Sequence, residues 1–141
     1  MDALAEALTP IAPAPERAAE IKSRLQERVR RDHGRFLTVR ITDGEWETFA
    51  PGASYKLLDD DGAMQAFLLR LEPGTRLPGH DHPADEICLV LEGEVRLGDV
   101  GVAAGDYHLA YAGSMHGDVV TTTGALLYIR TASGAIPHRP A

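Results

Sequence analysis

Three histidines and one glutamate stand at spacings that suit a metal site. His80, His82 and Glu86 lie within residues 74–93 (GTRLPGHDHPADEICLVLEG), and His116 ends a second Gly-rich stretch, GDYHLAYAGSMH. Side chains alternate between two faces in an extended strand, so the three even-numbered positions of the first segment are expected to point the same way if that segment stays extended. Three imidazoles and one carboxylate that converge inside a barrel would form a partly open metal site.

The first of these segments follows a known family pattern. Counting from Gly74, five residues precede His80-x-His82, three more precede Glu86, and six more precede Gly93. These spacings match the first motif of the cupin family at each defining position, so the segment resembles that family.

The second segment resembles the second cupin motif in part. Gly105, Gly113 and His116 stand at the expected places. Tyr111 replaces the usual proline, and Val120 replaces the usual asparagine. The resemblance therefore identifies His116 as a candidate ligand on a loop of altered sequence.

The chain is more specifically similar to ChrR-type cupins, which are best known as the C-terminal sensing halves of anti-sigma factors. Its N-terminal run LAEALTPIAPAPERAAEIKSRLQERV resembles the linker that follows the zinc-binding domain in such proteins. That zinc domain, with its His and paired Cys ligands, has no counterpart in this sequence, so we do not expect sigma-factor inhibition of the same kind. The similarity is carried by five runs: WETFAPG (46–52), KLLD (56–59), LLRLEPG (68–74), HDHPADE (80–86) and AGDY (104–107).

The resemblance implies an all-β fold, namely a cupin jelly-roll β-barrel with an N-terminal α-helical extension. It also implies a mononuclear site in which His80, His82, Glu86 and His116 bind one divalent transition metal per chain. Mixed nitrogen and oxygen ligands of this kind suit Zn, Fe, Mn or Ni, and the ligand types do not choose among them. Without a metal, the same residues would form a hydrogen-bonded histidine cluster.

The elements that must position these residues can be predicted from the pattern. Pro15 or Glu16 suits the start of a helix that runs to about Arg31 and carries one apolar stripe. Beyond it, short apolar segments alternate with Gly-containing turns, which is typical of a β-sandwich or barrel. Strands are predicted at residues 36–41, 45–49, 53–58, 64–71, 86–91 and 124–129.

A chain of 141 residues suits one folded domain with a sizeable core. We divide it into a helical extension or linker (residues 1–35), a cupin barrel (36–133) and a tail (134–141). The apolar stripe of the helix needs a surface to pack against, either the outside of the same barrel or a partner protein. The strand at 86–91 is apolar on both faces, which fits a site inside and a covering element outside. Such cupins are commonly homodimers, and a homodimer is expected here.

Charge is spread unevenly along the sequence. The net charge is −7, yet residues 17–35 hold seven of the fourteen basic residues, whereas residues 41–129 hold fifteen acids and four bases. The acidic body argues against nucleic acid as the main partner of the barrel. No apolar run approaches the roughly 20 residues of a membrane span, and no signal peptide is visible, so a cytoplasmic location is expected. Cys88 is the single cysteine, which excludes an intramolecular disulfide.

Other polar residues lie close to the motifs in sequence. Asp85 is odd-numbered and should point away from the site, although it could accept a hydrogen bond from a ligand imidazole. His108 is interpreted as a core or surface histidine rather than a ligand. Arg70 and Arg76 could pair with an anionic ligand, but a surface ion pair is the commoner role for such residues. Cys88 is interpreted as a buried core cysteine, with a thiol that lines the site as the alternative.

Two functions from different classes fit these features. The leading hypothesis is a metal-binding ChrR-like cupin that acts as a ligand- or stress-sensing regulatory module, with a small molecule bound at the metal and a protein partner on the helix. The alternative is a small metal-dependent enzyme, a dioxygenase, isomerase or hydrolase acting on a small polar metabolite. A storage or scaffold protein with a vestigial site is a third interpretation. Fold alone does not separate them, because cupins host many functions.

Overall fold

The structure, a computed structural model, describes residues 14–32 and 36–136, with the backbone alone for residues 25–32. One helix, α1, spans Pro15–Asp32, close to the predicted bounds. Glu16 lies in its first turn, where a negative charge favours the helix dipole. An ion pair of 2.9 Å joins Glu20 and Arg24 one turn apart. The N-terminal part of the predicted extension, the end of the tail and two side chains of the predicted stripe, Leu25 and Val29, lie outside the described part.

The helix belongs to one compact unit, and the strands belong to a second unit that begins at Leu37. The strands of the second unit are short and separated by turns. They are β1 (Glu47–Ala50), β2 (Ala53–Asp60), β3 (Met64–Leu71), β4 (Arg76–Leu77), β5 (His80–Asp81), β6 (Glu86–Leu97), β7 (Val100–Ala103), β8 (Tyr107–Ala110), β9 (Met115–His116), β10 (Val119–Val120) and β11 (Ala125–Ala132).

These strands form a nearly closed antiparallel barrel, which confirms the all-β cupin expectation. The main sheet has the order β1-β2-β3-β11-β6-β10-β4, and β7 and β8 also pair with β6. Strands β5 and β9 form a separate two-stranded sheet. Buried apolar side chains from β2, β3, β6 and β11 fill the interior. The strands that bear His80 and His116 are therefore short elements set beside a large framework.

The long strand β6 connects the two parts of the barrel. Its first half pairs with β8 and β11, and its second half pairs with β7 and β10. The sequence predicts that this strand ends near residue 91, but it continues through Gly93, which has a φ of 76°. A Cβ atom at Gly93 would collide with the carbonyl oxygen of Gly124. Glycine at this position thus permits both a left-handed backbone and close contact with the neighbouring chain.

One predicted strand does not form. Residues 36–41 contain β-branched and aromatic residues, yet they have no strand structure and lead into a turn. The side chain of Lys56, only 3% exposed, donates hydrogen bonds of 2.8 Å and 2.7 Å to the carbonyl oxygens of Arg40 and Ile41. These bonds satisfy a buried ammonium group and tie the backbone at residues 40 and 41 to a side chain of β2. Tertiary contact here overrides the local preference for a strand.

Within the part of the chain that the structure describes, no helix is both long enough and apolar enough to span a membrane.

Substitution of Gly93 tests the role of the close approach in β6. Gly93→Ala and Gly105→Ala both place alanine at a positive φ, which costs about 1–2 kcal/mol. Only the first also creates a collision with backbone, because the space around Gly105 is open. We expect Gly93→Ala to lower the free energy of unfolding by about 1–3 kcal/mol more than Gly105→Ala, measured by urea denaturation. Equal losses in the two variants would show that the close approach is unimportant.

Candidate metal centre

Two of the four candidate residues meet across the small sheet. Strand β5 pairs with β9 in a register that sets His80 directly opposite His116. The loop after β5 is held to the loop before β9 by two backbone hydrogen bonds, from the His82 N–H to the Ser114 carbonyl at 2.9 Å and from the Gly113 N–H to the His82 carbonyl at 2.7 Å. The pairing therefore brings three histidines from two distant segments to one place.

The fourth candidate, Glu86, begins β6. Its Oε1 atom lies 3.8 Å from Nε2 of His80 and 3.9 Å from Nε2 of His82. One potential ligand atom from each of the four residues lies within 4.8 Å of the others. The three imidazole ring centres are 4.6 to 4.8 Å apart. The structure thus brings together all four residues that the sequence analysis selects.

Backbone groups hold the outer side of each imidazole. Nδ1 of His116 lies 2.8 Å from the Gly117 carbonyl oxygen, and Nδ1 of His82 lies 3.1 Å from the Ser114 carbonyl oxygen. His80 hydrogen-bonds the backbone of Pro78. A carbonyl oxygen can only accept, so Nδ1 of His82 and of His116 carries the proton and Nε2 keeps its lone pair. This arrangement is the one that metal-ligating histidines adopt.

One polar atom in the cluster is left without a partner. Nε2 of His82 is buried and has no hydrogen-bond partner among the residues that the structure describes. An unpaired buried acceptor costs about 1–3 kcal/mol. A cation at the centre of the cluster would satisfy this nitrogen together with the Glu86 carboxylate. Three imidazoles and one carboxylate fit a divalent transition metal, and these ligand types are compatible with Zn, Fe, Mn or Ni.

The charge of Glu86 acts on its neighbour His80. Its carboxylate raises the pKa of His80 against the opposing effect of burial. Protons therefore compete with a metal ion for His80 up to a higher pH than they would for an unperturbed histidine.

A carboxylate outside the cluster fixes the strand that carries His80. Oδ2 of Asp118 accepts a hydrogen bond of 2.6 Å from Nε of Arg76, and Oδ1 accepts one of 3.1 Å from the Gly79 N–H. These donors lower the pKa of Asp118 below its usual range. Gly79 packs so closely on the backbone at His116 that a Cβ atom would collide there. Sequence analysis missed Asp118 and Gly79, because no local pattern links positions that meet only through the β5–β9 pairing.

The loop before His116 is held by a second carboxylate. Oδ1 of Asp85 accepts a hydrogen bond of 2.8 Å from the Ala112 N–H, so this side chain supports the loop and not a ligand imidazole. Arg70 is directed elsewhere as well, because its guanidinium lies 4.1 Å from the centre of the Trp46 ring.

A cavity of about 550 Å³ adjoins the cluster inside the barrel. His80, Glu86 and His116 line part of its wall. Most of the remaining wall is apolar and includes Phe67, Leu69, Leu77, Leu127 and Ile129. This volume falls in the range of sites that bind small molecules.

Two further side chains in the wall, Cys88 and His108, carry titratable groups. Cys88 is 3% exposed, as expected of a buried core cysteine. It also lines the cavity, as expected of a thiol that lines the site. Burial, with a contribution from Glu86, raises the pKa of Cys88 to about 12. His108 is half-buried, lines the same cavity and stands outside the four-residue cluster.

The raised pKa of Cys88 predicts an inert thiol. At pH 8 the native protein should contain about a thousandfold less thiolate than the unfolded chain, because an ordinary cysteine titrates near 8.5. Alkylation by iodoacetamide should therefore be at least about 100-fold slower in the native state than in urea, and it should keep accelerating with pH up to pH 10. A native rate that levels off below pH 9 would contradict the assignment of this pKa.

Comparison with known proteins agrees with this fold and site. The family model described as ChrR Cupin-like domain matches residues 35–135. No curated protein matches the chain. A crystal structure of Rhodobacter sphaeroides SigE in complex with the anti-sigma ChrR is similar at 25% identity and a TM-score of 0.59, with 92% of this chain and 73% of that chain covered.

Two other solved structures show the same fold at lower identity. An RmlC-like cupin from Shewanella frigidimarina is 22% identical with a TM-score of 0.62, covering 69% of this chain and 90% of that one. An acetylacetone dioxygenase from Acinetobacter johnsonii is 16% identical with a TM-score of 0.63, covering 72% of this chain and 76% of that one. The match of the family model over most of the barrel is decisive, and the chain belongs to the ChrR cupin-like family.

Proposed function

We propose that this protein is a metal-binding cupin that acts in the cytoplasm as a ligand- or stress-sensing regulatory module. His80, His82, Glu86 and His116 would hold one divalent transition metal. The observation that carries the proposal is the buried Nε2 atom of His82, which faces the other donors without a hydrogen-bond partner among the described residues. A cation at this point would remove the cost of that unpaired atom.

The sensing role follows from the open side of the site. Four protein donors leave one or two positions free on a five- or six-coordinate metal, and three of the four donors, His80, Glu86 and His116, line the cavity of about 550 Å³. A small molecule that entered the cavity could bind the metal directly and report its presence through the barrel. Similarity to a chain in the SigE–ChrR complex supports a regulatory context, since that protein is an anti-sigma factor.

The same cavity also supports an enzyme. A metal with an open position beside an enclosed pocket can polarise a bound substrate, so a dioxygenase, isomerase or hydrolase is the second candidate. Turnover of a small molecule that disappears in Glu86→Ala and depends on one particular metal would favour this alternative. Binding without turnover would favour the sensor.

Metal analysis of histidine variants tests the site. We expect wild-type protein purified without chelators to contain about one divalent transition metal per chain, and His82→Ala to retain less than a tenth of it. His108→Gln is the matched control, because it changes an imidazole in the same cavity outside the cluster and should keep its metal. The absence of metal from wild type, even after reconstitution, would overturn the proposal.

The outer face of the barrel is the proposed dimer surface. Register pairs Leu89 of β6 with Tyr107 of β8 and with Tyr128 of β11, so the three side chains share one face. Tyr107 is 60% exposed, and the other two are half-buried. A contiguous exposed apolar patch is typical of a protein interface. The basic helix α1 offers a further contact surface for a protein partner.

Sedimentation equilibrium tests the dimer. Wild type should be dimeric at micromolar concentration, and Tyr107→Asp should be monomeric because a charge is then placed in the apolar face. Val100→Asp provides the control, since Val100 is also exposed, at 47%, but begins β7, which pairs with the second half of β6. A monomeric wild type would contradict the proposal. A dimer that survives Tyr107→Asp would place the contact elsewhere.

A further inference from the structure

His108 has no role in the proposed metal centre, yet its side chain lines the cavity beside it. Four residues on neighbouring strands stand opposite one another. His108 of β8 pairs with Cys88 of β6, and Cys88 pairs in turn with Ile129 of β11. Ile129 then pairs with Phe67 of β3. Directly opposed residues share a face of the sheet. Because Cys88, Ile129 and Phe67 are buried cavity residues, this row forms the wall of the cavity and His108 is its last member.

The row lies next to the proposed metal. Glu86 is opposite Ala110, two residues along β8 from His108. Glu86 and His108 are therefore diagonal neighbours across two strands, with Cα atoms about 7–8 Å apart. A molecule of a few carbon atoms can span the space between the cluster and His108.

The chemistry of the wall contrasts with that of His108. Phe67, Leu69, Leu127 and Ile129 are apolar, and the thiol of Cys88 is a weak hydrogen-bonding group. Burial, followed by the nearby His116 and His82, lowers the pKa of His108. This shift favours the neutral ring, in which one nitrogen donates and the other accepts a hydrogen bond.

The proposed metal centre favours an anion. Three neutral imidazoles, one carboxylate and one divalent cation sum to a net charge of about +1. An oxyanion bound at the open position would neutralise this charge in a poorly hydrated pocket, where such pairing is strong. Along the wall, by contrast, the apolar residues favour a ligand with a hydrocarbon chain.

We propose that the cavity binds a small amphipathic monocarboxylate, with its carboxylate at the metal, its apolar body along Phe67, Leu127 and Ile129, and a second oxygen hydrogen-bonded to His108. This inference rests on the proposed metal centre and specifies the ligand that the centre would sense or transform. It replaces the small polar metabolite of the sequence-based alternative, because a wholly polar molecule would leave its groups unpaired along the apolar wall.

Titration of the metal-loaded protein with hexanoate and with its 3-, 4-, 5- and 6-hydroxy derivatives tests the proposal by calorimetry. Hexanoate should bind, and at least one hydroxy derivative should bind about 2- to 10-fold more tightly, as one added hydrogen bond predicts. This gain should vanish in His108→Leu and persist in part in His108→Gln, which keeps a donor and an acceptor. Tyr107→Phe is the control on the other face of the same strand and should keep the full gain.

Metal content, measured first by elemental analysis, separates the two proposals. Wild type that loads no metal overturns the metal centre and this inference with it. Wild type that loads metal but does not bind hexanoate overturns this inference alone. The inference is also overturned if no hydroxy derivative gains affinity, if the gain survives His108→Leu, or if both His108 variants lose their metal.

Discussion

The pairing of β5 with β9 is the constraint on which the site depends. These strands have two residues each, and their register alone sets His80 opposite His116. So short a sheet has little stability of its own. It is held in place from outside, by the Asp118 carboxylate on the Gly79 N–H and by the Asp85 carboxylate on the Ala112 N–H. The carboxylates of Asp118 and Asp85, which lie outside the cluster, therefore help to position the histidines.

The framework around this small sheet supplies rigidity and an apolar interior. β6 runs through both parts of the barrel because Gly93 allows the strand to bend where a side chain would collide. The same strand begins at Glu86, so the carboxylate of the cluster is anchored in the most extensively paired strand. A partly buried carboxylate beside the buried, unpaired Nε2 of His82 would gain most from a bound cation.

The sequence predicted the barrel and the grouping of four residues because the spacing of the family motifs indicates both. The strand alternation does not explain the grouping, because His80 lies in β5, a bend follows at residues 83–84, and Glu86 begins the separate strand β6. Prediction was wrong for residues 36–41, where the buried Lys56 ties the backbone at residues 40 and 41 to β2. It also missed Asp118, since its contacts join residues 39 and 42 positions apart. Both errors have one cause, namely contacts between residues that are far apart in the sequence, which local sequence patterns do not reveal.

X-ray absorption spectroscopy of the purified protein would identify the ligands of the proposed metal. We expect about one transition metal per chain, coordinated by three imidazole nitrogens and by oxygen atoms that include the Glu86 carboxylate. Cys88 lines the cavity but stands outside the four-residue cluster, so no sulfur ligand should be present. A spectrum with sulfur in the coordination shell, or with fewer than three imidazoles, would contradict the assignment of His80, His82, Glu86 and His116.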